Sequence, residues 1–272
     1  MTDAERAELL ELYVAEMRRD AWVPGMRCEK LADVSRYYDR AQREVLIMWH
    51  DLARADAAAV VRRELDHFRD AGGFTWKVYA GDPPTDFREV LLAAGLRDEH
   101  EVEDVLMVAS ADAMAVPPRM PPNANIRRLA TSADIHLLAD VWEAVWPNEN
   151  GGWIDVLAES LDTEPGRLAI LVATLDGRPA ASGYVVLDPR GHLAYLGGGG
   201  VVPEHRGKGL YRALVQARAA IARDAAAAIH LESSAHGDPM PCHLAVEASP
   251  ASRAVLTRMG FEPLTTLRFY AR

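Results

Sequence analysis

The 272-residue sequence predicts an α/β chain in which strands and helices alternate. Three observations carry this reading. Short apolar, β-branched or aromatic runs alternate with segments whose apolar residues recur at helical spacing. In "RLAILVATLDGRPAASGYVVLD" (167–188) an Asp-Gly turn joins two strands into a hairpin, and a third strand, 192–203, extends it to a meander. The segment "VPPRMPPNAN" (116–125) interrupts the alternation, because its prolines continue neither a helix nor a central strand. It separates an N-terminal domain, 1–115, from a C-terminal domain, 126–272.

Taken in order, Leu9, Leu10, Tyr13, Val14 and Met17 follow helical spacing and predict a helix over 3–19. "VSRYY" (34–38) and "EVLIMWH" (44–50) read as strands joined by a short polar turn. Val61, Leu65 and Phe68 share a face of a helix over 54–70, which ends at "AGG" (71–73). A strand at 74–79, a helix at 84–95 and a strand at 102–109 complete the first half. After the prolines come a strand at 126–130 and a helix at 132–146 with Ser132 in the cap position. A shorter helix at 155–162 precedes the meander. A helix over 207–223, a strand at 243–248, a helix at 250–259 and a strand at 264–271 follow it, while 227–242 reads as either more helix or a loop. "FREVLLAAGLRD" (87–98) aligns with "SRAVLTRMGFEP" (252–263), so the first half reads as a worn duplicate of part of the second.

Acidic residues outnumber basic ones by 40 to 30, giving a net charge of −10. That balance argues against a general binder of nucleic acid or acidic membrane, so an anion site has to be local. Two cysteines, Cys28 and Cys242, make no disulfide framework and fit a reducing compartment. The N-terminus is charged throughout, and no stretch approaches the length of a membrane span, so a cytoplasmic protein is expected. "HGDPMPCH" (236–243) invites a metal reading, but methionine is a poor ligand for common metals and no second Cys or His pair accompanies it. No metal is expected.

The most informative stretch is "LGGGGVVPEHRGKGLYRAL" (196–214). A flexible linker does not fit between a strand and a patterned helix. A phosphate-binding P-loop fails, since Val202 and Gly209 stand where glycine and Ser or Thr are needed. A dinucleotide fingerprint fails because Arg212 replaces the third glycine. What remains is a pyrophosphate cradle of another kind. "RGKG" (206–209) sets backbone N–H groups at a helix start, where the helix dipole adds partial positive charge. Gly207 and Gly209 admit close approach, and Arg206 and Lys208 add charge.

"VVPEHRGKGLYRAL" resembles the acyl-coenzyme-A motif of the GNAT N-acetyltransferase superfamily, Arg/Gln-x-x-Gly-x-Gly/Ala. Arg206 and Gly209 match, and Tyr211 departs at the last position. "SPASRAVLTRMGFE" (249–262) is similar to the family's next helix and its closing Gly-Phe turn, and the order of elements over about 123–272 agrees. The resemblance implies a GNAT fold, with a central mixed, mostly antiparallel sheet flanked by helices. It implies a smaller N-terminal α/β domain resembling a partial GNAT repeat without a cofactor motif.

It further implies acetyl-CoA, or another acyl-CoA, as acyl donor, held by Val201, Val202, Arg206, Gly207, Lys208, Gly209, Leu210, Tyr211 and Ser252. A backbone N–H near Val201 would polarise the thioester carbonyl. The family's tyrosine acid position is Leu256 here, and its frequent asparagine is Ser249, which makes Ser249 or water the proton donor. Glu247 and Glu149 are candidate bases, each also readable as a solvated carboxylate. Trp142, Trp146 and Trp153 read either as acceptor-pocket walls or as core. The expected acceptor is a small amine or a protein amine, and the expected state is a monomer or homodimer. A non-catalytic acyl-CoA-binding regulatory module is the alternative reading.

Overall fold

The computed structural model describes residues 1–52, 57–147, 152–232 and 241–272. The chain forms two compact units. The first comprises Met1–Leu106, Glu247–Arg253 and Pro263–Arg272; the second comprises Met107–Val246 and Ala254–Glu262. The proline-rich segment 116–125 lies inside the second unit, and the last strand completes the first.

In the first unit, helix α1 (Asp3–Tyr13) opens with a capping box. The Thr2 hydroxyl accepts from the Glu5 amide and the Glu5 carboxylate accepts from the Thr2 amide. The helix continues as a wider π-turn over Val14–Arg19, which brings Met17 and Arg18 into the interior. Strands β1 (Met26–Lys30), β2 (Val34–Asp39) and β3 (Glu44–His50) form an antiparallel meander. Helix α2 (Ala57–His67) leads to β4 (Gly73–Tyr79), which pairs parallel to β3. Helix α3 (Phe87–Ala93), the short β5 (Arg97–Asp98) and β6 (Asp104–Ser110) follow. Ile47, Phe68, Phe74, Trp76 and Phe87 fill the core of this unit.

The second unit begins within β6 and continues through helix α4 (Ala111–Met114), β7 (Ala124–Arg128), α5 (His136–Val145) and α6 (Trp153–Thr163). Strands β8 (Leu168–Leu175), β9 (Arg178–Leu187) and β10 (Leu193–Val201) form the second meander, with β7 antiparallel to β8. Asp176 and Gly177 both take positive φ, as the expected Asp-Gly hairpin turn requires. Helix α7 (Leu210–Glu232) then leads to β11 (His243–Ala248), parallel to β10. Helix α8 (Pro250–Met259) and β12 (Glu262–Ala271) close the chain, and β12 pairs antiparallel with β4.

The two units repeat one pattern. β1-β2-β3-α2-β4-α3 and β8-β9-β10-α7-β11-α8 are each an antiparallel meander, a crossover helix, a parallel strand and a helix. The aligned stretches 87–98 and 252–263 occupy corresponding places at α3 and α8.

The structure differs from the sequence reading in several elements. β1, "MRCEK", carries too little apolar character to signal a strand, and β5 and α4 are too short to show periodicity. Ser132 is not a cap: it sits inside a 3-10 turn, and α5 starts only at His136. α7 begins three residues later than expected and runs to Glu232, since its alanine-rich second half suits a helix. Residues 233–240, most of "HGDPMPCH", lie outside the described residues.

His50 is buried in the first unit, where its Nδ1 accepts from Trp76 Nε1 at 3.1 Å. Burial pushes its pKa from 6.5 down to about 4. The unfolded chain therefore binds a proton that the folded chain refuses, so stability is full above pH 6.5 and is lost as pH falls toward 4. Denaturant unfolding between these limits should show a loss of about 3 kcal/mol that His50→Gln removes.

Candidate functional site

The strand β10 and the start of α7 meet in a tight turn built by "VVPEHRGKG" (201–209). Val202 donates its amide to Ala180 O at 2.9 Å, which anchors the chain to β9 as the strand ends. Pro203–His205 form a 3-10 turn, and Arg206 Nε donates back to Val201 O at 3.2 Å. Gly207 and Gly209 take φ of +76° and +85°, a conformation side chains rarely adopt. A Cβ placed on Gly207 would meet no atom within 4 Å, so the turn is open on its outer side. At Gly209 the nearest neighbour would be Arg119 O at 3.7 Å, from the proline-rich segment.

The buried Leu210 pins the first turn of α7 to the core, and Ala213 N–H makes the first helical bond, to Gly209 O at 3.0 Å. The amides just ahead of it have no acceptor within the helix. Arg206, Lys208 and Arg212 are exposed around them, with Lys208 Nζ 3.2 Å from His205 Nδ1 and one exposed acid, Glu204, beside them. In a chain of net charge −10, this turn concentrates N–H dipoles and cations.

The glycines of β10 answer a packing demand. β10 pairs with β11 from Leu193–His243 to Tyr195–Ala245, while its pairing with β9 runs on to Val201–Ala181. Residues 196–201 thus extend beyond the parallel ladder. A bulge falls between Gly197 and Gly200. A Cβ on Gly198 would lie 2.6 Å from Cζ2 of Trp142, and one on Gly200 would lie 2.9 Å from Cη2 of Trp146. A Cβ on Gly199 would lie 3.2 Å from the Tyr211 ring. The glycines clear room for these rings, with Trp142 and Trp146 themselves edge-to-face at 5.8 Å. Tyr211, the departure from the motif, fits because Gly199 has no side chain.

Glu247, Ser249 and Ser252 belong to the first unit. Glu247 is an ion-pair partner there: Oε2 lies 2.7 Å from Lys77 Nζ, and Oε1 accepts from the hydroxyls of Tyr13, at 3.2 Å, and Tyr79. Burial alone would raise its pKa, but Lys77 and the hydroxyls hold it below the ordinary carboxylate range. A carboxylate so occupied is a weak proton acceptor. Ser249 Oγ lies 3.3 Å from Ser252 Oγ, and Ser252 Oγ donates to Ser249 O at 3.1 Å at the start of α8. Leu256 is fully buried. Trp153 is half-buried at the start of α6. Glu149 lies outside the described residues, among which no group of His, Cys, Asp or Glu could hold a metal ion.

Sequence reasoning missed Arg218, wholly buried in α7, and the Lys77–Glu247 pair. Arg218 looks in sequence like one more surface arginine of a helix. Lys77 and Glu247 lie far apart along the chain, and only the β4–β12 pairing and the end of β11 bring their segments into one unit.

Removing one member of the Lys77–Glu247 pair leaves a buried charge. Glu247→Gln should lower unfolding free energy by about 3 kcal/mol, and Lys77→Met with Glu247→Leu should recover most of it in a double-mutant cycle. In the second unit, Gly198→Ala combines a strained φ with a clash and should cost about 3 kcal/mol. Gly207→Ala meets only the strain and should cost about 1 kcal/mol by the same denaturation measurement.

Residues 137–241 match the family model described as Acetyltransferase (GNAT) family. No curated protein matches the sequence significantly. Among solved structures, the chain is similar to a GCN5-related N-acetyltransferase from Kribbella flavida, at 12% identity and a TM-score of 0.61 over 98% of this chain and 94% of that one. It is similar to a tandem GNAT protein of the clavulanic acid biosynthesis pathway, at 16% identity and a TM-score of 0.56 over 100% and 95%. A GCN5-related N-acetyltransferase from Sphaerobacter thermophilus aligns at 15% identity and a TM-score of 0.57 over 98% and 84%. The chain therefore has a GNAT fold, consistent with a tandem arrangement, and its residues 137–241 match the model of the GNAT acetyltransferase family.

Proposed function

We propose that the chain moves an acetyl or other short acyl group from acyl-CoA to an amine, by direct attack of the amine on the thioester. The observation that carries this reading is the open glycine turn at the start of α7, flanked by Arg206 and Lys208 at the end of a strand that outruns its parallel partner. In this proposal the CoA pyrophosphate takes the amides of residues 207–211. The pantetheine arm follows residues 197–202, and a backbone N–H near Val201 polarises the thioester carbonyl. Ser252 is proposed to line the donor site. The amine yields its proton to water or to Glu149, and the departing thiolate takes one from water or Ser249. Glu247, already held by Lys77 and two tyrosines, has a supporting role in this scheme.

The N-terminal half is proposed to be a worn GNAT repeat. Its crossover, "LARADAAAVV" (52–61), has no Arg-x-x-Gly-x-Gly and no basic glycine turn. The acceptor is proposed to be a small amine or a protein amine, and the location cytoplasmic. Among the described residues no helix is long and apolar enough to cross a membrane.

A second reading, a non-catalytic acyl-CoA-binding module, draws on the buried Leu256 at the family's tyrosine position. A thiol-release assay over an amine panel separates the two. The enzyme should release thiol from acetyl-CoA only when an acceptor is present. Tight acetyl-CoA binding with no acceptor-dependent release would establish the binding module instead. Arg206→Ala with Gly207→Asp should weaken CoA binding at least about tenfold, because it removes a cation and puts a carboxylate on the turn; unchanged affinity would refute both readings.

A further inference from the structure

Each unit carries a bulge in the third strand of its meander, and each bulge is held by a buried arginine. In the first unit the β2–β3 register slips beside Met48, and Arg18 Nε donates to Met48 O at 2.8 Å. Arg18 is neutralised there by a two-pronged pair with Asp82, at 2.9 and 2.7 Å. In the second unit the bulge is the glycine run of β10, and Arg218 of α7 holds it. Its Nη1 donates to Gly197 O at 3.2 Å on the bulged strand and to Tyr184 O at 3.0 Å on the facing strand. Its Nε donates to Leu214 O of its own helix at 3.1 Å.

Arg218 is 2% exposed, and every hydrogen bond it makes is to a backbone carbonyl. No carboxylate among the described residues pairs with it, in contrast to Arg18. Burial lowers its pKa only to about 10, so the charge persists at neutral pH. An unpaired buried cation is costly, and Arg18, which holds the bulge of the first unit, is neutralised by Asp82.

We propose that Arg218 is a positioning residue for acyl transfer: it fixes the glycine bulge of β10, after which the register with β9 resumes at Gly200 and Val201, and so sets where the N–H near Val201 is held for the acyl oxygen. This deepens the acyltransferase reading and rests on it. In the step, the amine lone pair adds to the thioester carbon and the C=O pair moves to oxygen. Collapse re-forms C=O and expels the CoA thiolate, and the proton lost by nitrogen balances the one gained by sulfur. An N–H held in place for the developing oxyanion favours the tetrahedral state over bound donor, so the clamp acts on kcat.

Three variants test this: Arg218→Lys, Arg218→Met and Gly183→Ala. A Cβ on Gly183 would lie 2.8 Å from Cζ and Nη1 of Arg218, so Gly183→Ala displaces the guanidinium while keeping its charge and every core side chain. For each, CoA affinity, kcat, KM for acetyl-CoA, melting temperature and amide exchange of residues 197–200 are measured. The expected result is kcat down at least about tenfold for Arg218→Met, partly rescued in Arg218→Lys, with CoA affinity within about twofold and faster exchange at 197–200. Unchanged kcat, or kcat and CoA affinity falling together with the melting temperature, overturns the proposal. If the wild-type chain binds CoA without turnover, the acyltransferase reading fails separately. Exchange then decides the clamp: unaltered protection at 197–200 in Gly183→Ala overturns it, and faster exchange with CoA affinity retained upholds it.

Discussion

The second unit is organised by how closely side chains can approach the backbone of β10. Rings from α5 press on Gly198 and Gly200 from one side, and Tyr211 and Arg218 of α7 reach Gly199 and Gly197 from the other. Such contact is available only where the strand has no Cβ atoms, and the bulge lets consecutive glycines serve both helices. The same run outlasts its parallel partner and hands over to the basic turn at the start of α7. One stretch of sequence thereby sets the seat of two helices, the end of a ladder and a basic glycine turn.

The first unit shows what the same topology becomes without that stretch. Its third strand, "EVLIMWH", carries full side chains, and its bulge is clamped by an arginine that is paired with Asp82. Charges are buried there in matched sets: Arg18 with Asp82 under the Tyr79 ring, and Lys77 with Glu247 beside Tyr13 and Tyr79. These sets stabilise only as long as each member keeps its partner, which ties α1, β4 and the end of β11 into one unit. The two units repeat one order of strands and helices, and the glycine turn of 206–209 has no counterpart in the sequence of the first.

Much of the fold was legible because it rests on local rules. The Asp176-Gly177 turn, the apolar runs of β8 and β9 on either side of it and the helical spacing around Leu210 and Leu214 each announce their element without reference to distant residues. The turn at 206–209 was legible for the same reason: closely spaced glycines before a helix start mark a tight turn from neighbouring residues alone, and both take positive φ. What stayed hidden depends on contacts across the chain. Nothing in "LVQARAA" tells that Arg218 is buried against the carbonyls of β9 and β10, and the role of Glu247 as partner to Lys77 needs β4 and β11 in one unit. The purpose of the glycines was legible only in part, since the rings that demand them lie in other elements.

The most direct measurement is a crystal structure of the chain with CoA bound. The account predicts the pyrophosphate within hydrogen-bonding distance of the amides of residues 207–210, with the sulfur end alongside Val201. CoA bound elsewhere on the chain, or no CoA bound at saturating concentration, would contradict it.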